Sequence, residues 1–143
     1  MNAPIRLWLV EDRVDFREFY SAALAAYGFP CERRFGSAEE VIEVLRQSSG
    51  PDLLLLDNGL PGICGAVAVK IVKTLSPSTL VFVLSSLKNY CDAAEALGGG
   101  ASAYFERSDS IERITISMRV ALSSRGVLPN SKGMELNAVG TTA

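Results

Sequence analysis

The 143-residue chain contains no histidine. Hydrolase triads with an imidazole base, metal centres ligated by imidazole and histidine proton relays are therefore excluded together. Only three cysteines occur, Cys31, Cys64 and Cys91. Their odd number, wide spacing and lack of a C-x-x-C pair predict reduced thiols acting as small apolar fillers, and neither a disulfide framework nor a zinc site. An excess of one charge is also missing, with 14 basic against 16 acidic residues and no long run of either sign. Charge thus marks no nucleic-acid-binding face within this chain. No apolar run approaches the about 18 residues of a membrane helix, and the start, MNAPIRLWLVED, lacks the pattern of a secretory signal. The expectation is a cytoplasmic protein without membrane contact.

What is present is a rhythm. The length suits one domain, which at this size buries roughly 68–70% of its unfolded surface and needs no metal or disulfide to fold. Short apolar runs alternate with amphipathic stretches, the pattern of a parallel sheet with helices on both faces. The first run, Ile5–Val10, stops at Glu11 and Asp12. From Asp15 to Tyr27, Phe16, Phe19, Tyr20, Ala23, Leu24 and Tyr27 recur at helical spacing and predict one buried face, with Gly28 as the stop. Cys31–Phe35 reads as a strand near an edge, because Glu32, Arg33 and Arg34 sit together in it. Ser37 with Glu40 forms a capping box ahead of Val41, Val44 and Leu45.

The strongest strand is Asp52–Asp57, whose four consecutive leucines suit burial on both faces. A Gly/Pro turn, Asn58 to Gly62, leads to a helix over Ala66–Leu75 that Pro77 closes. Thr79–Leu84 is the fourth strand, followed by Ser85 and Ser86. A helix over Tyr90–Leu97 and a strand over Ala103–Phe105 come next. Ser110 caps a final helix with the stripe Ile111, Ile114, Met118, Ala121 and Leu122. Residues 1–124 form the expected domain, and 125–143, without sustained periodicity, read as a flexible tail or the start of a linker.

Ligands of open parallel sheets gather beyond the carboxyl ends of the strands. Glu11 and Asp12 follow the first strand, Asp57 ends the third, Ser85 ends the fourth and Arg107 follows the fifth. Three carboxylates held together repel one another unless a cation neutralises them, and hard oxygen ligands suit Mg²⁺. Such a cation would let an anionic phosphoryl donor approach Asp57 as nucleophile. Ser85 would then hydrogen-bond a phosphoryl oxygen and Arg107 would supply a fixed positive charge. Plainer roles stand beside these: Ser85 capping its turn, Arg107 pairing with Glu106 or Asp109, Tyr104 as a half-buried strand aromatic, and Trp8 as core.

The segments LWLVED, DLLLLDNGLPGICG, VFVLSS and GASAYFER, in this order, resemble the receiver domain of bacterial two-component response regulators, the CheY-like superfamily, over roughly residues 5–122. The resemblance implies a doubly wound five-stranded parallel sheet of order 2-1-3-4-5. It implies Asp57 as phosphoacceptor from a sensor histidine kinase or phosphotransfer protein. It also implies Mg²⁺ on Asp12, Asp57 and the Gly59 backbone carbonyl, with Glu11 assisting through water. Ser85 and Tyr104 match the family's switch pair. The output would be a changed surface around the fourth helix, fifth strand and fifth helix, offered to a downstream protein target or to a second copy in a homodimer.

Departures from the family pattern are Arg107 in place of lysine, Ser108 in place of the following proline, Cys64 in place of the polar residue often found before the glycine of its turn, and the side-chain-free Gly59. The expected function is a phosphorylation-driven signalling module rather than an enzyme. Alternatives are the regulatory half of a DNA-binding transcriptional regulator and a phosphorylation-independent pseudo-receiver. An aspartyl phosphatase is disfavoured, since Gly59 stands where a general acid would be needed.

Overall fold

The computed structural model describes residues 4–85 and 90–125. Among the described residues five strands and five helices alternate: β1 (Leu7–Val10), α1 (Val14–Ala26), β2 (Cys31–Phe35), α2 (Ala38–Leu45) and β3 (Leu53–Asp57), then α3 (Gly65–Leu75), β4 (Leu80–Ser85), α4 (Tyr90–Gly98), β5 (Ala103–Glu106) and α5 (Ile111–Ser124). The strands form one parallel sheet in the order β2-β1-β3-β4-β5, as the resemblance implies. The expected tail falls mostly on residues 126–143, and Ser86 and Cys91 also lie outside what is described for side chains.

Side chains of a strand alternate between faces, and two cores result. Leu7, Leu9, Leu53, Leu55, Phe82 and Leu84 meet Tyr20 and Leu24 of α1 and Ile114, Met118 and Leu122 of α5. Trp8, Val10, Leu54, Leu56, Val81 and Val83 meet α2, α3 and α4 on the other side. Because both faces are covered, β1 and β3 carry no polar residue in their interior, which is why an unbroken leucine run serves as a strand.

The edge strand β2 exposes Glu32, Arg33 and Arg34. Glu32 turns this position to use: it accepts from Trp8 Nε1 at 2.8 Å and pairs with Arg6 Nε at 3.0 Å. That bond satisfies the indole N–H of an otherwise buried ring. The charged row also discourages pairing with another chain.

Helix ends follow local chemistry. Ser37 Oγ accepts from the Glu40 N–H at 3.2 Å, and Ser110 Oγ accepts from the Arg113 N–H at 3.1 Å. At the end of α1, Gly28 has φ +92°, its N–H donates to Ala25 and the Phe29 N–H donates to Leu24. This reverse turn closes the helix with a glycine in the left-handed region.

Three expectations need correction. Phe19 and Tyr27 are 58% and 41% exposed, because the buried stripe of α1 is narrower than the apolar one and centres on Tyr20 and Leu24. Cys64 is exposed at the start of α3 and fills no core; Cys31 is half-buried, and burial pushes its thiol up from the usual range.

Two substitutions test this packing by urea denaturation. Leu55→Ala, in the fully buried centre of β3, should cost about 2–5 kcal/mol. Ser37→Ala, which removes only a cap, should cost about 1 kcal/mol.

Candidate functional site

Alternation carries the chemistry to one end of one face. Leu7 and Leu9 face α1 and α5, and the next position in step is Glu11; Leu53 and Leu55 lead likewise to Asp57, and Ala103 and Phe105 to Arg107. Val10 pairs with Leu56, so Glu11 and Asp57 emerge side by side. Asp12 follows in the turn into α1 and is exposed, whereas Glu11 is 1% and Asp57 4% exposed. Oxygens of these three carboxylates lie within 4.8 Å of one another.

Arg107 bridges the buried pair. Its Nη2 lies 2.6 Å from Glu11 Oε1 and 2.8 Å from Asp57 Oδ2. Of the expected alternative partners, Asp109 is engaged elsewhere: it accepts from the Glu106 N–H at 2.9 Å and lies 3.5 Å from Arg113 Nη1. The second oxygen of Asp57, Oδ1, accepts from the Gly59 N–H at 3.0 Å, and Glu11 Oε2 accepts from the Arg13 N–H at 3.1 Å.

Burial pushes the Glu11 carboxyl above its ordinary range and the Asp57 charge adds to this, while the hydrogen bonds from Arg107 and Arg13 pull back. Burial also works against the Arg107 charge, but the bond to Glu11 and the charges of Asp57 and Glu11 outweigh it and hold the guanidinium protonated. One guanidinium against three carboxylates leaves two negative charges, the deficit a divalent cation corrects. Hard oxygens at this spacing fit Mg²⁺ or Ca²⁺ and suit no soft metal. The cluster opens into a cleft of about 330 Å³ lined by Asp12, Arg13, Phe16, Asp57, Gly59 and Arg107.

The remaining predicted residues lie around this cluster. Ser85 is buried at the end of β4, in register with Glu106, and its carbonyl accepts the Arg107 N–H at 2.7 Å. Tyr104 is half-buried on the α2, α3 and α4 side of the sheet, opposite the carboxylates. Its hydroxyl accepts from Asn58 Nδ2 at 3.3 Å. A Cβ at Gly65 would lie 1.7 Å from Asn58 Oδ1, so the glycine leaves room for this amide.

Sequence reasoning missed four contributors: Phe16, Tyr20, Arg13 and Asn58. Phe16 and Tyr20 were legible only as part of an apolar stripe. A helix that begins two residues after Asp12 sets its first turns over the strand ends, and that was the available signal.

A family model for the response regulator receiver domain matches residues 7–119. The DNA-binding transcriptional regulator NtrC of Escherichia coli is 28% identical over 135 residues, covering 94% of this chain but only 28% of its own length. A CheY-like receiver domain protein of Methanospirillum hungatei shares the fold with a TM-score of 0.78 at 18% identity, over 87% of this chain and 98% of that one. A response regulator protein of Burkholderia pseudomallei, solved with a phosphorylated aspartic acid, a calcium ion and citrate, has a TM-score of 0.70 at 16% identity, over 95% and 72% of the chains. Together with the acidic cluster at the carboxyl ends of the strands, the family match over most of the chain shows that it belongs to the response regulator receiver domains of two-component systems.

Proposed function

We propose that the chain accepts a phosphoryl group on Asp57 from a histidine kinase or phosphotransfer protein and signals through the resulting change at its surface. The observation that carries this reading is the meeting of Glu11, Asp12 and Asp57 within 4.8 Å beside Arg107. These 143 residues contain no histidine, so a phosphohistidine donor lies outside them.

Asp12, Asp57 and the Gly59 carbonyl would hold Mg²⁺, with Glu11 assisting through water. The cation supplies charge neutralisation for the incoming phosphoryl oxygens. In the transfer, a carboxylate oxygen of Asp57 forms the new P–O bond as the P–N bond to the donor imidazole breaks, and the electron pair leaves on the ring nitrogen. The Gly59 N–H and Arg107 orient the Asp57 carboxylate beforehand. Ser85 would meet a phosphoryl oxygen after transfer, and Tyr104 would respond through its side of the sheet. Regulation rather than catalysis is the family's role, so the product is an altered binding surface for a downstream protein.

The receiver unit in this reading ends at residue 124, where α5 ends, with residues 125–143 as tail or linker. A second reading, the regulatory portion of a DNA-binding transcriptional regulator, is favoured by the fact that the chain spans about a quarter of the length of NtrC. Sequencing the transcript beyond codon 143 separates the two.

Incubation with Mg²⁺ and a small acyl phosphate, followed by intact-mass measurement, should give one labile phosphoryl adduct on the wild type and none on Asp57→Asn. An adduct on both proteins, or on neither, overturns the assignment. Asp12→Asn, which removes one exposed carboxylate ligand without disturbing the core, should weaken Mg²⁺ binding by on the order of tenfold, about 1.4 kcal/mol, in a calorimetric titration.

A further inference from the structure

Arg107 is held by more than its ion pairs. Its guanidinium carbon lies 4.5 Å from the centroid of the Phe16 ring and 5.7 Å from that of Tyr20. Nη2 makes both short contacts to Glu11 and Asp57, while the buried Nη1 has no hydrogen-bond partner among the described residues. The Tyr20 side chain interacts with the guanidinium as well. The Phe16 ring face adds to these contacts, because a cation over an aromatic ring is attracted by its quadrupole, and more strongly where water is excluded. The Arg107 side chain is 16% exposed.

Phe16 is itself fixed. It packs against the α1 and α5 core, and the guanidinium of Arg13 lies 4.4 Å from the same ring, tied in turn to Asp15 at 3.0 Å. Phe16 thus lies against an Arg107 that rests on Glu11 Oε1 and Asp57 Oδ2, two oxygens of the carboxylate cluster.

We propose that Phe16 is a positioning residue which, by stacking, fixes Arg107 as an internal counter-cation on Glu11 and Asp57, so that a divalent cation enters the cluster against the guanidinium. The inference rests on the reading of this cluster as a cation site, and goes beyond it in assigning the site a built-in competitor. A lysine at 107 would carry the same charge but offers no planar face to the ring and no fork, and its flexible stem lets the ammonium withdraw. Charge number and competition for the oxygens are thus separable.

The test is calorimetric titration of Mg²⁺ into the wild type, Arg107→Lys, Phe16→Leu and Asp12→Asn, with thermal unfolding confirming that each is folded. Arg107→Lys preserves the charge and Phe16→Leu preserves an apolar side chain. Both should bind Mg²⁺ more tightly, by roughly three- to fivefold, the range that a partly desolvated cation–ring contact supports. A merely structural role for Phe16 would not move a second readout: the Arg107 Nε–H resonance, displaced by the ring current in the wild type, should return toward its usual position on addition of Mg²⁺ to the wild type. If the wild type binds Mg²⁺, Asp12→Asn weakens it, and either Arg107→Lys or Phe16→Leu matches the wild-type affinity, the positioning role is overturned while the cation site stands. If none of the four proteins binds Mg²⁺, the cation site fails and the competition fails with it.

Discussion

Two carboxylates buried at the end of a parallel sheet are the constraint around which the rest of this structure is arranged. Glu11 and Asp57 are almost without solvent contact, and two neighbouring anions in that setting would drive one of them to take up a proton unless a positive charge were built in. Arg107 is that charge, and its place depends on much else. β5 must lie at the far side of β4, its last residues must step in phase with those of β1 and β3, and α1 must begin soon enough to put Phe16 over the guanidinium. Removing the arginine entirely would leave buried charge uncompensated, which costs more than the pair itself contributes.

The architecture was legible because both of its periods are visible in the sequence. The leucine run of β3 announces a strand covered on both faces, and the three- and four-residue spacings of α1, α2 and α5 announce their buried stripes. Gly28 and Ser110 lie where the helix ends need them. Legibility failed where apolar character exceeded the burial available. Phe19 and Tyr27 belong to the apolar pattern of α1 but fall to the side of the line that touches the sheet, and nothing in the spacing of one helix reveals how wide its neighbour is. Cys64 failed for a related reason: residue type suggests burial, but a position at the exposed start of a helix overrides it.

For the site, the carboxylates could be found because strand ends are where such sheets place polar groups. Their mutual distance follows from β1 lying directly beside β3, which the parallel pattern makes natural. The partner of Arg107 could not be found this way. Glu106 and Asp109 are near in sequence, while Glu11 is 96 residues away and is reached only because an intervening fold brings the two strand ends to one face. Asn58 was missed because an amide in a turn ordinarily serves its own backbone, and its actual partner belongs to another strand.

The Asn58 contact has a consequence for how firmly the far side of the sheet is held. Tyr104 is tied to the loop after Asp57 through one neutral hydrogen bond of 3.3 Å, and the amide that makes it sits in a niche open only because residue 65 has no side chain. A bond of that kind contributes about 0.5–1.5 kcal/mol net, a factor of about ten at most between the bonded and unbonded arrangements. The tie is a latch and not a weld. A perturbation at the neighbouring carboxylate needs only a kilocalorie or so, about twice thermal energy, to release it.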